Sequence, residues 1–482
     1  MTQKKTNQNI LSSRYASEQI NNLFSEESKI LLEREFWIEL MKLQKESGVN
    51  IPQEEITKFE NAKNKIDLKE IRDIEKVTKH DVKAKIESFV NTACADEHIH
   101  KGLTSRDLTD NVEQIIIKKA SEIILKKYIS VLKKLLEKSK QYKQLIMVAR
   151  THNQPAQPTV LGKKFSMWAQ ELTFHIKDFE RFVHTLPLRG IKGAVGTQVD
   201  MKSLVGCENK IKKIETSIAN HFGFEQIMNS VGQVYPRSFD AALASKLAAL
   251  GSCCANIAKS IRLMSGKELL SEGFSKGQVG SSAMPHKMNT RSCERICGFS
   301  KLLKMYSQGA LSLAGDQWEE GDVSCSVVRR VIIPDMFYVS DGICTTTEHI
   351  LNNLTVFKNK IKEELDKNLP FIASSKFLME FVKAGIGREH AHELIKEVAV
   401  KEALRLRNYG GENKVIEQLA NNKKIIRAGI TKEELLQIIN DKEQFLGSAQ
   451  TQIKELNSQC REQFKEYFDE IKNNKESYED IL

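Results

Sequence analysis

Proline is scarce in this sequence, with only eight among 482 residues. None stands between Pro236 and Pro285, and none between Pro285 and Pro334. A proline inside a helix costs about 3 kcal/mol because it removes a backbone hydrogen bond and clashes with the preceding turn. Gaps of this length therefore favour long helices, and we expect no proline inside a long helical segment.

Long apolar runs and paired cysteine motifs are missing as well. Runs such as Val331–Ile333 hold only a few residues, far short of the roughly 18 that a membrane span needs. Met1–Asn9 is polar and lacks the apolar core of a secretory signal. The nine cysteines form no Cys-x-x-Cys motif. We expect reduced thiols in a cytoplasmic protein that has no membrane partner.

Aromatic residues make up only 7% of the chain, whereas the formal net charge is +10. A nucleic-acid interface usually shows as one basic stripe with interleaved aromatics, but here the basic residues are spread along the chain. A lysine-rich solvent surface is the favoured explanation of the charge, followed by an anionic small ligand drawn by the overall field. We predict a small-molecule ligand and no nucleic-acid partner.

Helical periodicity is strong where proline is absent. Apolar residues from Ile117 to Leu135 recur three or four positions apart, and Asp240–Leu263 repeats the pattern. We predict an all-α protein in which a central bundle of long helices is flanked by two smaller helical domains. The predicted domains are 1–104, 105–356 and 357–482, and the long apolar bundle predicts an oligomer.

The stretch most suggestive of chemistry is Gly277–Asn289, which has two glycines, two adjacent serines, a lysine and an asparagine without apolar periodicity. A plain surface connection would explain that composition, although functional loops on rigid scaffolds look alike. Residues 281–289 read SSAMPHKMN and resemble the signature loop GSSxMPxKxN of the fumarase/aspartase superfamily. The segments Thr151–Thr159 (THNQPAQPT) and His100–Asp107 (HKGLTSRD) are similar to two further motifs of that superfamily.

Other segments resemble one family of this superfamily, the adenylosuccinate lyases, and the branch that includes the animal enzymes. These segments are Arg14–Tyr15, His80–Val82, Arg189–Gln198, Gly232–Gln233 with Arg237, Gln317–Trp318 and Lys383–His392. The resemblance implies a fumarase/aspartase-like fold and a homotetramer whose active sites are shared between subunits.

The reaction that the resemblance implies is a β-elimination. A base removes a proton from the succinyl Cβ of adenylosuccinate, an acid protonates the departing nitrogen, and fumarate and AMP leave. The family's serine base and histidine acid correspond to Ser281 and His152, with Ser282 as the adjacent alternative base. His80 is expected to orient the substrate, and Lys287 to stabilise the developing negative charge. The family also implies cleavage of SAICAR to AICAR.

A substrate with a phosphate, two carboxylates and a purine needs cationic and hydrogen-bonding partners. Placement in the motifs selects the predicted binding residues: Arg14, Tyr15, Lys79, His80, Asp81, Thr104, Ser105, Gln233, Asn289, Arg295, Ser326 and Arg330. Taken singly, each is ordinary, and the Thr-Ser pair is also typical of a helix N-cap. We expect no metal site and no cofactor, because metal-ligand spacings and glycine-rich nucleotide motifs are missing.

Two positions depart from the family pattern. Gly321 stands where the family has an arginine that contacts substrate, and Lys79 replaces a usual arginine. A charge-assisted hydrogen bond contributes about 1.5–3 kcal/mol. We therefore expect an arginine restored at position 321 to tighten substrate binding.

Two other functions stay open at this point. The first is another fumarate-releasing lyase of the superfamily, such as an argininosuccinate lyase-like enzyme, against which Arg14–Tyr15 and His80–Asp81 argue. The second is a catalytically inactive helical scaffold, against which the intact Ser281 and His152 argue.

Overall fold

The computed structural model describes residues 9–273 and 283–473. Most of them fold into helices and few into strands, which confirms the predicted all-α class. The helices are α1 (Ile10–Arg14), α2 (Glu18–Leu23), α3 (Glu26–Glu46), α4 (Gln53–Ala62), α5 (Leu68–Thr78), α6 (Asp81–Ala93), α7 (Ser105–Gln141), α8 (Leu161–Thr185), α9 (Val199–Val205), α10 (Glu208–His221), α11 (Ser238–Ser265), α12 (Arg291–Leu313), α13 (Ser324–Asn353), α14 (Lys358–Ile372), α15 (Ser374–Lys383), α16 (Arg388–Tyr409), α17 (Val415–Ala420), α18 (Lys423–Arg427), α19 (Lys432–Asn440), α20 (Ala449–Gln463) and α21 (Lys465–Asn473). A 3₁₀-helix covers Lys442–Phe445. The strands are β1 (Ile146–Thr151), β2 (Gln154–Val160), β3 (Leu270–Ser271) and β4 (Thr355–Val356).

Five long helices, α7, α8, α11, α12 and α13, pack side by side as a bundle. The two periodic segments lie within α7 and α11, so both predicted helices are confirmed. The apolar stripe of α7 is buried, for example at Ile117, Ile124 and Leu135. Helices of this length gain most of their stability from such a buried face rather than from intrinsic propensity.

Helix α11 is, within the described part of the chain, the one helix long and apolar enough to cross a membrane by length and composition alone. Its most apolar 18-residue window has a mean hydropathy of 1.3, but 56% of that window is buried inside the fold. Leu247, Leu250 and Cys254 pack in the bundle interior. A core helix passes the same test, so α11 is weak evidence for a membrane span.

The prediction that no long helix contains a proline is wrong. Pro334 lies inside α13 and Pro370 inside α14. Next to Pro334, the side chains of Ile332, Ile333 and Phe337 are buried. Each buried apolar side chain contributes about 1.5–3 kcal/mol, so packing offsets the lost backbone hydrogen bond.

The sequence also did not predict the hairpin that joins α7 to α8. Strands β1 and β2 pair antiparallel from Ile146–Val160 to Thr151–Gln154, and a register shift follows Ala149. Two prolines in β2 hide the strand pattern, because proline cannot donate to a sheet ladder. This hairpin places His152 at the tip of a turn.

Hydrophobic side chains form one large core, a smaller separate one and three minor clusters. The large core includes residues from Leu11 to Ile361 and then Leu456 to Phe468. The smaller core lies between Ala373 and Leu435 in the helices α15 to α19. The predicted domain boundaries at 104 and 356 stay a prediction.

Candidate active site

His80 is the N-cap residue of α6. Its Nδ1 accepts a hydrogen bond from the backbone N–H of Lys83 at 3.2 Å, and its Nε2 lies 3.4 Å from Ser105 Oγ. Because Nδ1 accepts, we assign the proton of a neutral His80 to Nε2. The neighbouring Asp81 has its Oδ1 4.0 Å from Nδ1. The helix cap thereby sets which nitrogen His80 presents to Ser105.

A cavity of about 600 Å³ opens beside this pair. His80, Thr104 and Ser105 line it together with His100 and residues of α6. Small-molecule sites typically enclose roughly 300–1,000 Å³, so the cavity suits a ligand of nucleotide size. The structure thus brings three of the predicted site residues to one place, and the exposed Lys79 precedes them at the end of α5.

Asp107 organises the beginning of α7. Its Oδ2 accepts from the backbone N–H of Thr104 at 2.8 Å in a capping box. Its Oδ1 accepts from Arg189 Nη1 at 2.6 Å and from the backbone N–H groups of Lys192 and Gly193 at 2.8 and 3.0 Å. Asp107 and Arg189 are fully buried. The predicted capping role of Thr104 is confirmed.

Our sequence reasoning did not place Asp107 and Arg189 among the site residues. Both stand in the motifs quoted above, but their partners are distant in sequence. Arg189 also donates through Nη2 to the carbonyl oxygen of Gly232 at 3.1 Å. The pair therefore joins the Thr104 turn to the segment that carries the predicted binding residue Gln233.

A second buried network surrounds the beginnings of α11 and α13. Arg329 donates to Asp240 Oδ2 through Nε and to Glu113 Oε2 through Nη1, both at 2.7 Å. It also donates to the hydroxyl of Tyr235, which itself donates to Asp240 at 2.7 Å. Burial raises the pKa of Tyr235, so its hydroxyl stays protonated. This network fixes the helix turn that holds the predicted residues Ser326 and Arg330, of which Arg330 is exposed.

Gly321 packs directly against Gln233. The backbone N–H of Gln233 donates to the carbonyl oxygen of Glu320 at 2.8 Å. A Cβ added at position 321 would lie 2.9 Å from Gln233 Cβ and 3.1 Å from its Oε1. Gln233 would therefore have to shift to admit a side chain at position 321, which argues against the expectation that an arginine here tightens binding.

Tyr15 and Arg295 also come together. The guanidinium carbon of Arg295 lies 5.5 Å from the centroid of the Tyr15 ring, within the range of a cation–π contact. The Tyr15 ring meets Phe299 edge-on at 5.0 Å between centroids. Arg14, next to Tyr15, is exposed at the end of α1. The N-terminal segment thus contacts the first turns of α12.

His152 lies at the tip of the β1–β2 hairpin and is exposed. His152 and Asn153 both have positive φ, 50° and 60°, as a tight two-residue hairpin turn requires. Arg150 Nη1 donates to the carbonyl oxygen of Asn153 at 3.1 Å, and Lys267 Nζ donates to Oδ1 of the Asn153 side chain at 2.9 Å. Arg150 in turn pairs with Glu364.

Ser281 and Ser282, the two candidates for the base, lie outside the described residues. After them, Lys287 is exposed and Asn289 is half-buried before α12 begins. Glu272 caps that helix, because its carboxylate accepts from the backbone N–H groups of Ser292 and Cys293, each at 3.0 Å. In the first turn of the same helix, Glu294 Oε1 lies 3.7 Å from Arg262 Nη2.

The predicted site residues fall at two ends of the bundle. Ser105 begins α7 and His152 follows its end, and α7 has 37 residues. At about 1.5 Å of rise per residue, the two ends of α7 lie about 55 Å apart. The contact of Lys267 with Asn153 places the chain after α11 at the His152 end. The His80–Ser105 cavity and His152 of one chain therefore cannot act on the same small molecule.

Sequence comparison agrees with the motifs. Residues 31–301 match the family described as "Lyase", and residues 370–456 match "Adenylosuccinate lyase C-terminus". The chain is 34% identical to an adenylosuccinate lyase of Schistosoma mansoni, over 86% of this chain and 87% of that one. It is 33% identical to that of Saccharomyces cerevisiae, over 85% of this chain and 86% of the other.

Solved structures show the same fold at lower sequence identity. A fumarate lyase from Mesorhizobium sp. superposes with a TM-score of 0.78 at 21% identity, covering 92% of this chain and 98% of that one. A β-carboxy-cis,cis-muconate cycloisomerase from Acinetobacter calcoaceticus superposes with a TM-score of 0.79 at 17% identity, covering 94% of this chain and 100% of the other. On its family matches and its identity to these relatives over most of its length, the chain belongs to the adenylosuccinate lyase family.

Proposed function

We propose that this protein cleaves adenylosuccinate into fumarate and AMP. The observation that carries the proposal is the meeting of His80 and Ser105, from two separate family motifs, on one cavity of about 600 Å³. The proposed base is Ser281 and the proposed acid is His152. Lys287 and Asn289 would hold the carboxylate next to the carbanion, which lowers the barrier by electrostatic stabilisation.

The proposal includes a homotetramer with active sites shared between subunits. It is supported by the separation of the His80–Ser105 cavity from His152 along α7. A second support is a set of large apolar side chains left exposed on or next to the bundle helices α8, α12 and α13. They are Met167, Phe174, Met305, Leu311, Val323, Val327 and Val331. Large apolar side chains left exposed on packed helices favour an interface with another subunit.

Two further parts of the proposal follow from the family and from the cysteines. SAICAR carries the same succinyl and ribose phosphate groups as adenylosuccinate, and we propose it as a second substrate. A cytoplasmic location is supported by the nine cysteines, all of which are free thiols in the structure.

The test is fumarate release from adenylosuccinate by the purified full-length protein, in the presence of excess chelator. We expect activity without added metal or cofactor. His152→Ala should reduce kcat by at least about 100-fold, the usual contribution of a general acid. The matched control is His184→Ala, an exposed histidine at the end of α8, which should keep wild-type activity. Fumarate release from argininosuccinate alone would favour an argininosuccinate lyase-like enzyme. No fumarate from any substrate would favour a catalytically inactive scaffold.

A further inference from the structure

His100 has one ring nitrogen committed to the protein core. Trp37 Nε1 donates a hydrogen bond to His100 Nδ1 at 3.1 Å, and the two rings meet edge-on at 5.9 Å between centroids. Trp37 is only 1% exposed and stacks on Phe89. The indole can only donate, so Nδ1 must accept and cannot carry a proton while this bond exists.

The other nitrogen of His100 remains for the cavity. His100 lines the same cavity as His80 and Ser105, and Nε2 has no hydrogen-bond partner among the described residues. The backbone supports this placement, because His100 holds a positive φ of 63°. Such a conformation is uncommon for a residue with a side chain and marks a position that the surrounding structure dictates.

We infer that Trp37 is a positioning residue: its indole N–H keeps His100 in the tautomer with the proton on Nε2, so that His100 offers a neutral donor to an oxygen acceptor of the ligand. The inference rests on the proposed function, since it assigns a role within the same cavity. An N–H donor recognises a phosphate, carboxylate or carbonyl oxygen of the substrate, and an unprotonated Nε2 would repel it.

The surroundings of His100 favour the neutral ring. Burial is the main cause that lowers the pKa of His100 to about 4, and the nearby His80 lowers it further, whereas Asp107 acts in the opposite direction. Other titratable groups on the cavity wall are Lys83, Glu87 and Glu97. A neutral imidazole donates at Nε2 only in the tautomer that carries its proton there. The hydrogen bond from Trp37 to Nδ1 selects that tautomer.

The experiment is a double-mutant cycle on fumarate release. Trp37→Phe keeps a large aromatic ring against Phe89 but removes the N–H, and should lower kcat/KM about tenfold, the value of one good hydrogen bond. His100→Gln places an amide N–H near the position of Nε2 and should keep more activity than His100→Asn, whose amide reaches only the position of Nδ1. In the His100→Gln protein, Trp37→Phe should change kcat/KM less than about twofold, because no tautomer is left to set.

Trp168→Phe is the matched control, because Trp168 is also buried but lies in α8. It should leave kcat/KM within about twofold in both backgrounds. An equal loss from Trp37→Phe in the wild-type and His100→Gln proteins would mean that Trp37 acts only through packing, and would overturn the inference.

A second measurement uses wild-type protein without substrate, so it does not depend on whether a substituted protein folds. In wild-type protein with ¹⁵N-labelled histidine, the imidazole nitrogen shifts at pH 7 should show His100 protonated on Nε2. A proton on Nδ1 would overturn the inference. If the wild-type protein releases no fumarate from adenylosuccinate, the proposed function fails, and the tautomer is still decided by this spectrum.

Discussion

Arg189 Nη1 lies 2.6 Å from Asp107 Oδ1, and both side chains are fully shielded from solvent. Removing one partner of a buried ion pair leaves an uncompensated charge, which typically costs about 3–5 kcal/mol. We expect Arg189→Ala to lower the free energy of unfolding by that amount in urea titrations. The control is Arg181→Ala, whose partner Asp178 lies 2.7 Å away on the surface and which should cost less than about 1 kcal/mol. Equal effects of the two variants would contradict the organising role of the Asp107 pair.

His80 has two roles that substitution can separate. Asparagine is a favoured N-cap residue, so His80→Asn should keep α6 capped while removing the group that faces Ser105. We expect the melting temperature to stay within about 3 °C of wild type and kcat/KM to fall by about 100-fold or more. His80→Ala should lose both the cap, at about 1 kcal/mol, and the activity. An active His80→Asn protein would show that only the cap matters.

Gly321 should resist substitution because of its contact with Gln233. We expect Gly321→Ala to raise the KM for adenylosuccinate, and Gly321→Arg to raise it further, since the added Cβ lies 2.9 Å from Gln233 Cβ. Gly315→Ala offers a comparison in the preceding turn: its added Cβ meets nothing within 4 Å, but its φ is +83°, so it should affect stability more than KM. A lower KM for Gly321→Arg would show that the loop moves to accept the side chain.

Subunit mixing tests whether the site is shared. His80→Ala and His152→Ala proteins should each be nearly inactive. When they are dissociated, mixed in equal amounts and reassembled, about a quarter of the sites should draw both intact residues from different chains. Fumarate release by the mixture measures this recovery, and native mass spectrometry confirms subunit exchange. No recovery despite exchange would mean that one chain supplies both residues.

The same mixing of His152→Ala with Ser281→Ala asks a separate question. The segment that leads from α11 into the signature loop lies at the same end of the bundle as the His152 turn, because Lys267 bonds to Asn153. We expect recovery of about a quarter here too, because we propose that the His152 and the Ser281 of one site come from different chains. If the His152→Ala protein regains activity with His80→Ala but not with Ser281→Ala, then one chain supplies both His152 and Ser281. Each site would then need only two chains.

The stability of the protein should depend on pH through His100. Its pKa is lowered to about 4 in the folded chain, so the unfolded chain binds the proton more readily. The contribution of His100 to the free energy of unfolding is fully present above about pH 6.5. It is lost as the pH falls toward 4, and the loss amounts to up to about 3 kcal/mol. His100→Gln should show a smaller loss over this range in urea titrations. Identical pH profiles of wild type and variant would contradict the shift.

Much of the fold was predictable from the sequence. The proline gaps and the spacing of apolar residues predicted the two long helices α7 and α11, because helical periodicity is a local property of the chain. Pro334 inside α13 and the β1–β2 hairpin were missed. In both cases the surrounding packing overrides a local preference, and packing partners distant in sequence leave no local signal.

The site divides in the same way. The sequence by itself determined which motifs are present, and hence the family, because motif residues are recognised one by one along the chain. Only the tertiary structure decided that His80 meets Ser105, that Gly321 packs on Gln233, that Trp37 bonds to His100, and that α7 holds the cavity and His152 far apart. Such contacts form when helices pack residues that are far apart in sequence against each other. The order of residues along the chain does not specify the distances between them in the fold.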